Sequence, residues 1–366
     1  MVNISDAQLD ELRVFAERLA ETARKIITPY FRSGLSIDDK PTDSDTGQPV
    51  TRADRESEEA MRDLITSHYP DHGVIGEEFD AYNPDAEFCW VLDPIDGTRA
   101  FIAGLPMFGT LIGLGYQRRP ILGILDQPIM QDRFIGTPRG SSLNGKPIKT
   151  RKCSRLDQAI YALTDPRMMA TPAQEVVFHR LMRETHLTQF GGNCYAYGML
   201  ASGAIDLITE NDLQPWDIFA LIPIIEGAGG VVTGWAGTPA EKSAAVVACG
   251  DPMLHKEVNI ICKKLSEVSF VEVVTNGDTL NPKIIKNLYS NNVNKLLISM
   301  YDGKHQIEKF NKMIAKADVP KDFVILRDRW YDSSKDFGLK LTNRTGTISI
   351  GEQEKIGTFT KCFYPS

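Results

Sequence analysis

The sequence predicts an α/β protein built as a layered sandwich. Two long amphipathic segments come first, a run of short apolar segments with polar breaks follows, and apolar helical and strand-like segments then alternate. This order favours a sandwich over a simple doubly wound sheet. With 366 residues, 42% of them apolar and 24% charged, the chain can bury a sizeable core without disulfides.

The individual elements follow from local patterns. Residues 5–30 repeat apolar residues at helical spacing, and residues 54–68 do so over a shorter span. Trp216–Gly229 is apolar and ends in a double glycine, which is typical of a helix stop. Short apolar runs predict strands at Cys89–Leu92, Thr110–Tyr116, Ile121–Leu125, Asp132–Gly136 and in the segment GVVTGW.

Charge and composition exclude several classes of protein. The net charge of −7 gives no global attraction to nucleic acid or to an anionic membrane. No apolar run reaches about 18 residues, and the amino terminus lacks the apolar core of a signal peptide. The six cysteines are scattered without a CxxC pair, which indicates reduced thiols and a cytoplasmic protein.

A change in composition divides the chain into a head and a tail. Residues 261–366 contain 17 Lys and Arg against 12 Asp and Glu, so the tail carries +5 and the head −12. The tail also has eight Asn and only two Ala, whereas the head is rich in Ala. We therefore predict two domains, residues 1–258 and residues 259–366.

Acidic residues adjoin apolar segments at four places in the head. They are Asp54 in VTRAD, Glu77 and Glu78 in VIGEEF, Asp93 and Asp96 in LDPIDGT, and Asp217 in QPWDIFA. Buried carboxylates need partners, and no nearby run of Arg or Lys offers them. Asp54 and Asp217 could each cap a helix, but for the four places together a site for hard divalent cations such as Mg²⁺ is favoured.

The DPIDGT segment adds a place for an anion. Pro94 favours an extended backbone at Asp93, so the side chains of Asp93 and Asp96 can converge while the Ile95 carbonyl points the same way. Gly97 permits a close backbone approach, and Thr98 begins a helix-like segment whose free amides can hold a phosphate. Cations on one side and amides on the other predict cleavage of a phosphate ester.

Three motifs together resemble the inositol monophosphatase superfamily. They are GEEF, WVLDPIDGTRAFIAGLPMFGTLIGL and PWDIFALIPIIEGAGGVV, and the resemblance covers residues 5–255. It implies an αβαβα sandwich, a homodimer, and a lithium-sensitive phosphomonoesterase that uses two or three Mg²⁺ ions.

The resemblance also implies roles for individual residues. Glu77, Asp93 and the Ile95 carbonyl match the ligands of a first metal, while Asp93, Asp96 and Asp217 match those of a second. Glu78 and Asp54 match acids that support a third site. Thr98 and Glu77 match the pair that activates water, and Gly97 and Thr98 match the phosphate-binding amides.

Other segments of the sequence favour histidinol phosphate as the expected substrate. The motifs RAFIAGLPMFGTLIGL and GGNCYAYGMLASGAIDL look most like the histidinol-phosphatase branch. In that branch an arginine follows DGT, and Arg99 is the corresponding residue here. Glu210 matches an acid that touches the non-phosphate part of the substrate, where it suits an amine or a sugar hydroxyl equally. Asn193 stands where that branch often has Asp. The tyrosines and the cysteine that follow Asn193 are interpreted as helix-packing residues.

The tail shows a second, weaker resemblance. VEVVTNGDTLNPKIIKNLYSNNVNKLLISMYDG alternates strand, loop, helix and strand, which indicates parallel βα units. TNGD, ISMYDG, ILRDRW, LTNRTG and KCFYPS resemble the later half of a radical SAM barrel of the SPASM-containing kind, over residues 266–366. The CxxxCxxC loop of that family is missing and Cys362 alone matches a cluster cysteine, so we expect a partial, non-catalytic barrel without an iron–sulfur cluster.

These observations lead to one expected function and three alternatives. The expected function is Mg²⁺-dependent hydrolysis of L-histidinol phosphate, a small phosphomonoester, without nucleic-acid or membrane partners. The alternatives are a phosphatase of inositol 1-phosphate or another sugar phosphate, a radical SAM fragment, and a binding protein on a phosphatase scaffold. The missing cysteine motif argues against the radical SAM fragment, and the complete set of acids argues against the scaffold.

Overall fold

The structure is a computed structural model. It describes residues 4–33, 38–39, 49–169, 171–266, 272–275, 277, 279–290, 295–300, 305–320, 323–328, 341–343 and 346–348. The chain divides into two compact units, Met1–Ser269 and Phe270–Ser366. Within the described residues, no helix combines the length and apolarity needed to cross a membrane.

The regular elements have the following bounds. The α-helices of the described residues are α1 (Asp6–Tyr30), α2 (Arg52–His68), α3 (Thr98–Ile102), α4 (Pro172–Glu184), α5 (Asn193–Ala201), α6 (Pro215–Ile218), α7 (Leu221–Gly227), α8 (Pro252–Ser266), α9 (Pro282–Ser290) and α10 (His305–Ala317). The strands are β1 (Asp38–Asp39), β2 (Pro49–Val50), β3 (Gly73–Gly76), β4 (Phe88–Asp96), β5 (Gly109–Tyr116), β6 (Arg119–Gln127), β7 (Asp132–Thr137), β8 (Gly140–Leu143), β9 (Lys146–Ile148), β10 (Ile160–Leu163), β11 (Leu187–Phe190), β12 (Leu207–Glu210), β13 (Val231–Gly234), β14 (Val246–Cys249), β15 (Glu272–Thr275), β16 (Lys295–Met300), β17 (Val324–Asp328), β18 (Leu341–Asn343) and β19 (Gly346–Ile348).

The first unit has five layers. Helices α1 and α2 cover one face of a seven-stranded sheet of order β3-β4-β5-β6-β7-β8-β9. Helices α5, α6 and α7 lie between that sheet and a five-stranded sheet of order β11-β10-β12-β14-β13. Helices α4 and α8 cover the outer face of the second sheet. The predicted αβαβα sandwich is therefore confirmed.

Alternation along the strands explains why three apolar cores can form. Leu207 of β12 packs toward α4 and α8, and its neighbour Ile208 packs toward the central helices. In β5, Leu111 faces the central helices and Ile112 faces α1 and α2. Because successive strand residues point to opposite faces, each sheet is buried on both sides by adjacent residues.

The predicted helix over Trp216–Gly229 is interrupted. Helix α6 ends at Ile218, Phe219 and Ala220 form a turn, and α7 begins at Leu221. Pro223 has no N–H to donate to the carbonyl of Phe219, so a continuous α-helical ladder is broken there. The two longer predictions are confirmed within two residues, since α1 spans Asp6–Tyr30 and α2 begins at Arg52.

The helix at the predicted seam packs with the first unit. Leu254, Val258 and Cys262 of α8 are fully buried in the core that also contains α4. The predicted division between residues 258 and 259 falls inside this helix. The predicted division therefore lies before the end of the first compact unit, which is at Ser269.

In the second unit, β15, β16 and β17 form a three-stranded parallel sheet in that order. Helices α9 and α10 contribute Ile285 and Phe310 to a core with Leu296 and Ile298 of the central strand. The predicted parallel βα units are present. Strands β18 and β19 pair with each other, and Cys362 lies outside the described residues.

A buried ion pair joins α1 to the seven-stranded sheet. The carboxylate of Asp126 on β6 is fully buried and accepts hydrogen bonds from Arg24 Nε at 2.9 Å and from Arg133 Nε at 2.6 Å. Arg24 lies on α1 and Arg133 on β7, so one carboxylate holds two elements against a third. Removal of this carboxylate leaves two largely buried guanidinium groups with Glu21, whose Oε2 lies 3.5 Å from Arg133 Nη2, as the remaining nearby counter-charge.

We therefore expect the substitution Asp126→Asn to lower the free energy of unfolding by about 3 kcal/mol, because it breaks a buried ion pair from one side. Urea denaturation followed by tryptophan fluorescence measures the change. The matched control is Asp85→Asn, since Asp85 pairs with Arg118 at the surface with a side chain that is 78% exposed, and exposed pairs contribute less than about 1 kcal/mol. Equal losses in the two variants would contradict the prediction.

Candidate active site

The carboxyl end of β4 brings Asp93 and Asp96 to the same place. Residues three apart in a regular strand point to opposite faces. Here Asp93 pairs with Leu111 and Asp96 with Gly109, so β4 carries one residue more than β5 between the two pairs. This bulge turns both carboxylates toward one site, in agreement with the convergence predicted from Pro94.

Asp217 completes an acidic group with these two residues. One carboxylate oxygen from each of Asp93, Asp96 and Asp217 lies within 4.8 Å of the others. Asp217 is the third residue of α6, and one of its oxygens accepts a hydrogen bond from the backbone N–H of Gln214 at 2.7 Å. Capping of the helix fixes this carboxylate in position.

Asp54 likewise caps its helix, α2, through one carboxylate oxygen. Its Oδ2 accepts from the backbone N–H of Thr51 at 2.9 Å, while Oδ1 is buried without a hydrogen-bond partner. The helix-capping interpretation of Asp54 and Asp217 is thus correct for one oxygen of each residue. It does not exclude a second role for the other oxygen.

Glu77 and Glu78 reach the same region from β3. Strand β3 pairs in parallel with β4, with Gly76 opposite Leu92, so Glu77 follows its strand beside Asp93. Burial raises the pKa of Asp93 well above its ordinary value, and the charge of Glu77 is the next largest cause. Asp93 is 1% exposed, and its Oδ1 has no hydrogen-bond partner.

The residues after Asp96 form a tight turn. Gly97 adopts φ 90°, and a Cβ at this position would lie 2.8 Å from the Met107 carbonyl oxygen. Gly97 is the N-cap of α3, and the hydroxyl of Thr98 donates to the Ile95 carbonyl at 3.1 Å. Arg99 is exposed, and its Nη1 lies 4.0 Å from Asp165 Oδ2.

Helix α5 contributes backbone donors. The N–H of Cys194 donates to Asp96 Oδ2 at 2.6 Å, and the N–H of Asn193 donates to Thr164 Oγ1 at 3.1 Å. The side-chain amide of Asn193 donates to the Met107 carbonyl at 2.6 Å, so this residue supports the Gly97 turn. Cys194 is buried in the core among the central helices, as a packing residue should be.

Glu210 lies at the end of β12 and is 2% exposed. Its Oε1 accepts from the Thr164 N–H at 2.8 Å, and its Oε2 is buried without a hydrogen-bond partner. Burial raises the pKa of Glu210 to about 8, and the charge of Asp96 acts in the same direction. An orphaned carboxylate oxygen near other acids is suited to meet a cation or a hydrogen-bond donor.

Sequence reasoning missed Thr164, which bonds to both Glu210 and Asn193. A signal was present, since Thr164 and Asp165 are polar residues directly after the apolar run IYAL of β10. The structure brings together the predicted residues on β3, β4, α2, α5, α6 and β12, whereas Arg99 points to solvent. Carboxylate oxygens of this kind fit a hard divalent cation, and two of them, Asp54 Oδ1 and Asp93 Oδ1, are buried without other hydrogen-bond partners.

Comparison with known proteins agrees with this arrangement. The sequence pattern described as the inositol monophosphatase family matches residues 8–269. The chain is 42% identical over 266 residues to the bifunctional phosphatase IMPL2, chloroplastic, of Arabidopsis thaliana, covering 69% of this chain and 75% of the relative. It is 34% identical over 218 residues to the histidinol-phosphatase of Chlorobaculum parvum, covering 59% of this chain and 82% of the relative.

A solved structure of an inositol monophosphatase from Zymomonas mobilis superposes with a TM-score of 0.63 at 43% identity, covering 71% of this chain and all of the other. The layered fold, the acidic group and the sequence match define a phosphatase that acts on phosphomonoesters. The chain belongs to the inositol monophosphatase family.

The acidic group predicts an unusual dependence of stability on pH when divalent ions are absent. Burial raises the pKa of Asp96 to about 6, of Asp54 to about 7 and of Glu210 to about 8. Between about pH 5 and pH 8 these three carboxyl groups bind more protons in the folded protein than in the unfolded chain, so their contribution to the free energy of unfolding falls as pH rises. Burial lowers the pKa of His72 and of His255, which acts in the opposite direction up to about pH 6.5.

We expect the melting temperature in EDTA to decrease from about pH 6.5 to pH 8, and we expect Asp54→Asn to make the decrease shallower because Asn does not titrate. Differential scanning fluorimetry measures both. Asp85→Asn serves as the exposed control and should keep the wild-type slope. A melting temperature that is constant or rises from about pH 6.5 to pH 8 would contradict the raised pKa values of these carboxyl groups.

Proposed function

We propose that this protein is a Mg²⁺-dependent phosphomonoesterase that hydrolyses L-histidinol phosphate to L-histidinol and phosphate. The observation that carries the reaction type is the convergence of Asp93, Asp96 and Asp217 within 4.8 Å, directly before the Gly97 turn. Like charges held this close and buried favour a bound divalent cation.

The proposed ligands belong to two, and in part three, cation sites. Glu77, Asp93 and the Ile95 carbonyl would hold one ion; Asp93, Asp96 and Asp217 would hold a second; Glu78 and Asp54 would support a third. Bound Mg²⁺ would supply Lewis-acid activation of water and stabilise negative charge on the leaving oxygen.

The chain itself would position the ester and the attacking water. We assign the backbone amides of Gly97 and Thr98 to the phosphate, because they lie at the start of α3 directly after Asp96, where a helix leaves its first N–H groups without intrahelical partners. We assign Thr98 and Glu77 to orienting the water. The hydroxyl of Thr98 is already held at the Ile95 carbonyl, which keeps it at the edge of the acidic group.

The substrate assignment rests on Glu210 and on the relatives. Its orphaned Oε2 is suited to the ammonium group of histidinol phosphate, and an ammonium beside it would stabilise the charged form. A relative at 34% identity is named a histidinol-phosphatase. Asn193 and Arg99 are proposed as further substrate contacts, Asn193 through its side-chain oxygen and Arg99 at the rim.

Hydrolysis of inositol 1-phosphate or another sugar phosphate is the second candidate. The related structure from Zymomonas mobilis is titled an inositol monophosphatase. A carboxylate at Glu210 can accept hydrogen bonds from sugar hydroxyls as well as from an amine. Phosphate release from L-histidinol phosphate and from inositol 1-phosphate, each with Mg²⁺ and with EDTA, distinguishes the candidates.

For the tail we propose a non-catalytic role and retain the resemblance to a partial radical SAM barrel as a hypothesis. The family match ends at residue 269, where the first compact unit also ends. A cytoplasmic location and a homodimer likewise stay predictions.

The substitution Asp93→Asn should reduce kcat by on the order of 10³-fold or more, because Asp93 is shared by both proposed ions and several kcal/mol of charge stabilisation depend on it. Phosphate release under saturating Mg²⁺ measures the effect. Asp85→Asn is the surface control and should keep wild-type activity. Retained turnover in Asp93→Asn would contradict the ligand assignment.

The substitution Glu210→Gln tests the substrate. It removes a charge but keeps a hydrogen-bonding group, so kcat/KM should fall by about 10- to 100-fold for L-histidinol phosphate and much less for inositol 1-phosphate. The exposed Glu257→Gln is the control. An equal fall for both substrates would argue against recognition of an ammonium group by Glu210.

A further inference from the structure

A buried ion pair on α2 faces the turn that carries two of the proposed ligands. Glu58 is fully buried and the side chain of Arg62 is 14% exposed. Arg62 Nε donates to Glu58 Oε1 at 2.7 Å across one turn of the helix. Asp54, Glu58 and Arg62 are spaced four residues apart, so α2 presents them along one face.

Glu58 Oε2 and the two Nη atoms of Arg62, which take no part in the hydrogen bond between the two side chains, bind the turn after β3. Glu58 Oε2 accepts from the backbone N–H of Glu78 at 2.8 Å. Arg62 Nη2 donates to the Phe79 carbonyl and Nη1 to the Asp80 carbonyl, each at 3.0 Å. Three consecutive residues are therefore held by charge-assisted hydrogen bonds, the stronger class of hydrogen bond.

The same carboxylate also touches the residue before the acids. A Cβ on Gly76 would lie 2.1 Å from Glu58 Oε1, so only glycine allows the helix to approach the strand end this closely. Phe79 is covered in addition by the guanidinium groups of Arg55 at 5.0 Å and Arg62 at 5.8 Å from its ring centre. The turn is thus held on both sides of Glu77 and Glu78.

This turn needs an external restraint. Strand β3 is at the edge of the seven-stranded sheet, and beside β4 its Val74 exchanges two backbone hydrogen bonds of 2.8 Å with Tyr82, on the far side of the turn. Glu77 follows it directly and lies near the buried charges of Asp93 and Asp96, which repel it. A turn fixed at its base by the Val74–Tyr82 hydrogen bonds would still move away from these charges when no cation is bound.

We propose that Glu58 and Arg62 are positioning residues that hold the Glu77–Glu78 turn against this repulsion and thereby set the affinity of the site for divalent cations. The inference rests on the proposed function, because it takes Glu77 and Glu78 as ligands. Neither Glu58 nor Arg62 touches the substrate or the cations; both act through the backbone of residues 78–80.

The test uses Glu58→Gln and Arg62→Lys in the full chain. Gln places an N–H₂ group or a neutral oxygen where Arg62 and Glu78 need an acceptor, and Lys cannot supply three N–H donors in the guanidinium geometry. The matched controls are Glu184→Gln and Arg180→Lys, which alter an ion pair of the same spacing on α4 that is about 45% exposed.

Two quantities are measured for each variant. One is the melting temperature in EDTA and along a MgCl₂ titration; the other is the MgCl₂ concentration that gives half-maximal phosphate release. We expect both Mg²⁺ midpoints to rise by about 10- to 100-fold in Glu58→Gln and Arg62→Lys, the range found for residues that support metal ligands, and to stay unchanged in the controls.

Midpoints within about twofold of wild type in both variants would overturn the proposal, since a purely structural pair changes stability without changing cation affinity. Loss of cooperative melting in both variants would also overturn it, because the pair would then serve the whole fold. A wild-type protein that responds to Mg²⁺ but releases no phosphate would refute only the proposed function. A wild-type protein without any Mg²⁺ response would refute both.

Discussion

The repulsion among buried carboxylates at the end of β4 is the constraint on which the site depends. Asp93, Asp96 and Asp217 lie within 4.8 Å of one another, and Glu77 approaches the same point. Like charges in a medium of low polarity separate unless the backbone prevents it or a cation compensates them. The surrounding helices and strands hold these carboxylates together against their repulsion.

Separate features of the backbone hold the acidic residues in place. A bulge in β4 turns Asp93 and Asp96 to one side. Hydrogen bonds at the starts of α2 and α6 hold one oxygen of Asp54 and one of Asp217. Because these restraints come from separate elements of the sandwich, the site exists only when the layers are packed, and its charges destabilise the fold until a cation compensates them.

The site could be predicted in large part from the sequence, and the errors have physical causes. The acids of GEEF, DPIDGT and PWD were recognisable because each adjoins an apolar segment. Asp54 and Asp217 presented a choice between capping and ligation that the sequence could not resolve, and in the structure one oxygen of each residue caps its helix. Thr164 escaped notice because its two hydrogen bonds reach residues 29 and 46 positions away. The interruption between α6 and α7 was missed because the apolar pattern continues through it.

Local chemistry in the sequence by itself determined the helices α1 and α2, the strand meander, the layered class and the identity of the acidic residues, because periodicity, caps and turns depend on near neighbours. Only the tertiary structure decided that Glu58 and Arg62 bind the turn after β3, that Asp126 joins two elements to β6, and that Glu210 retains an orphaned oxygen near Asp96. These contacts join residues distant in the chain, and the burial that gives each charge its effect exists only after the layers have packed.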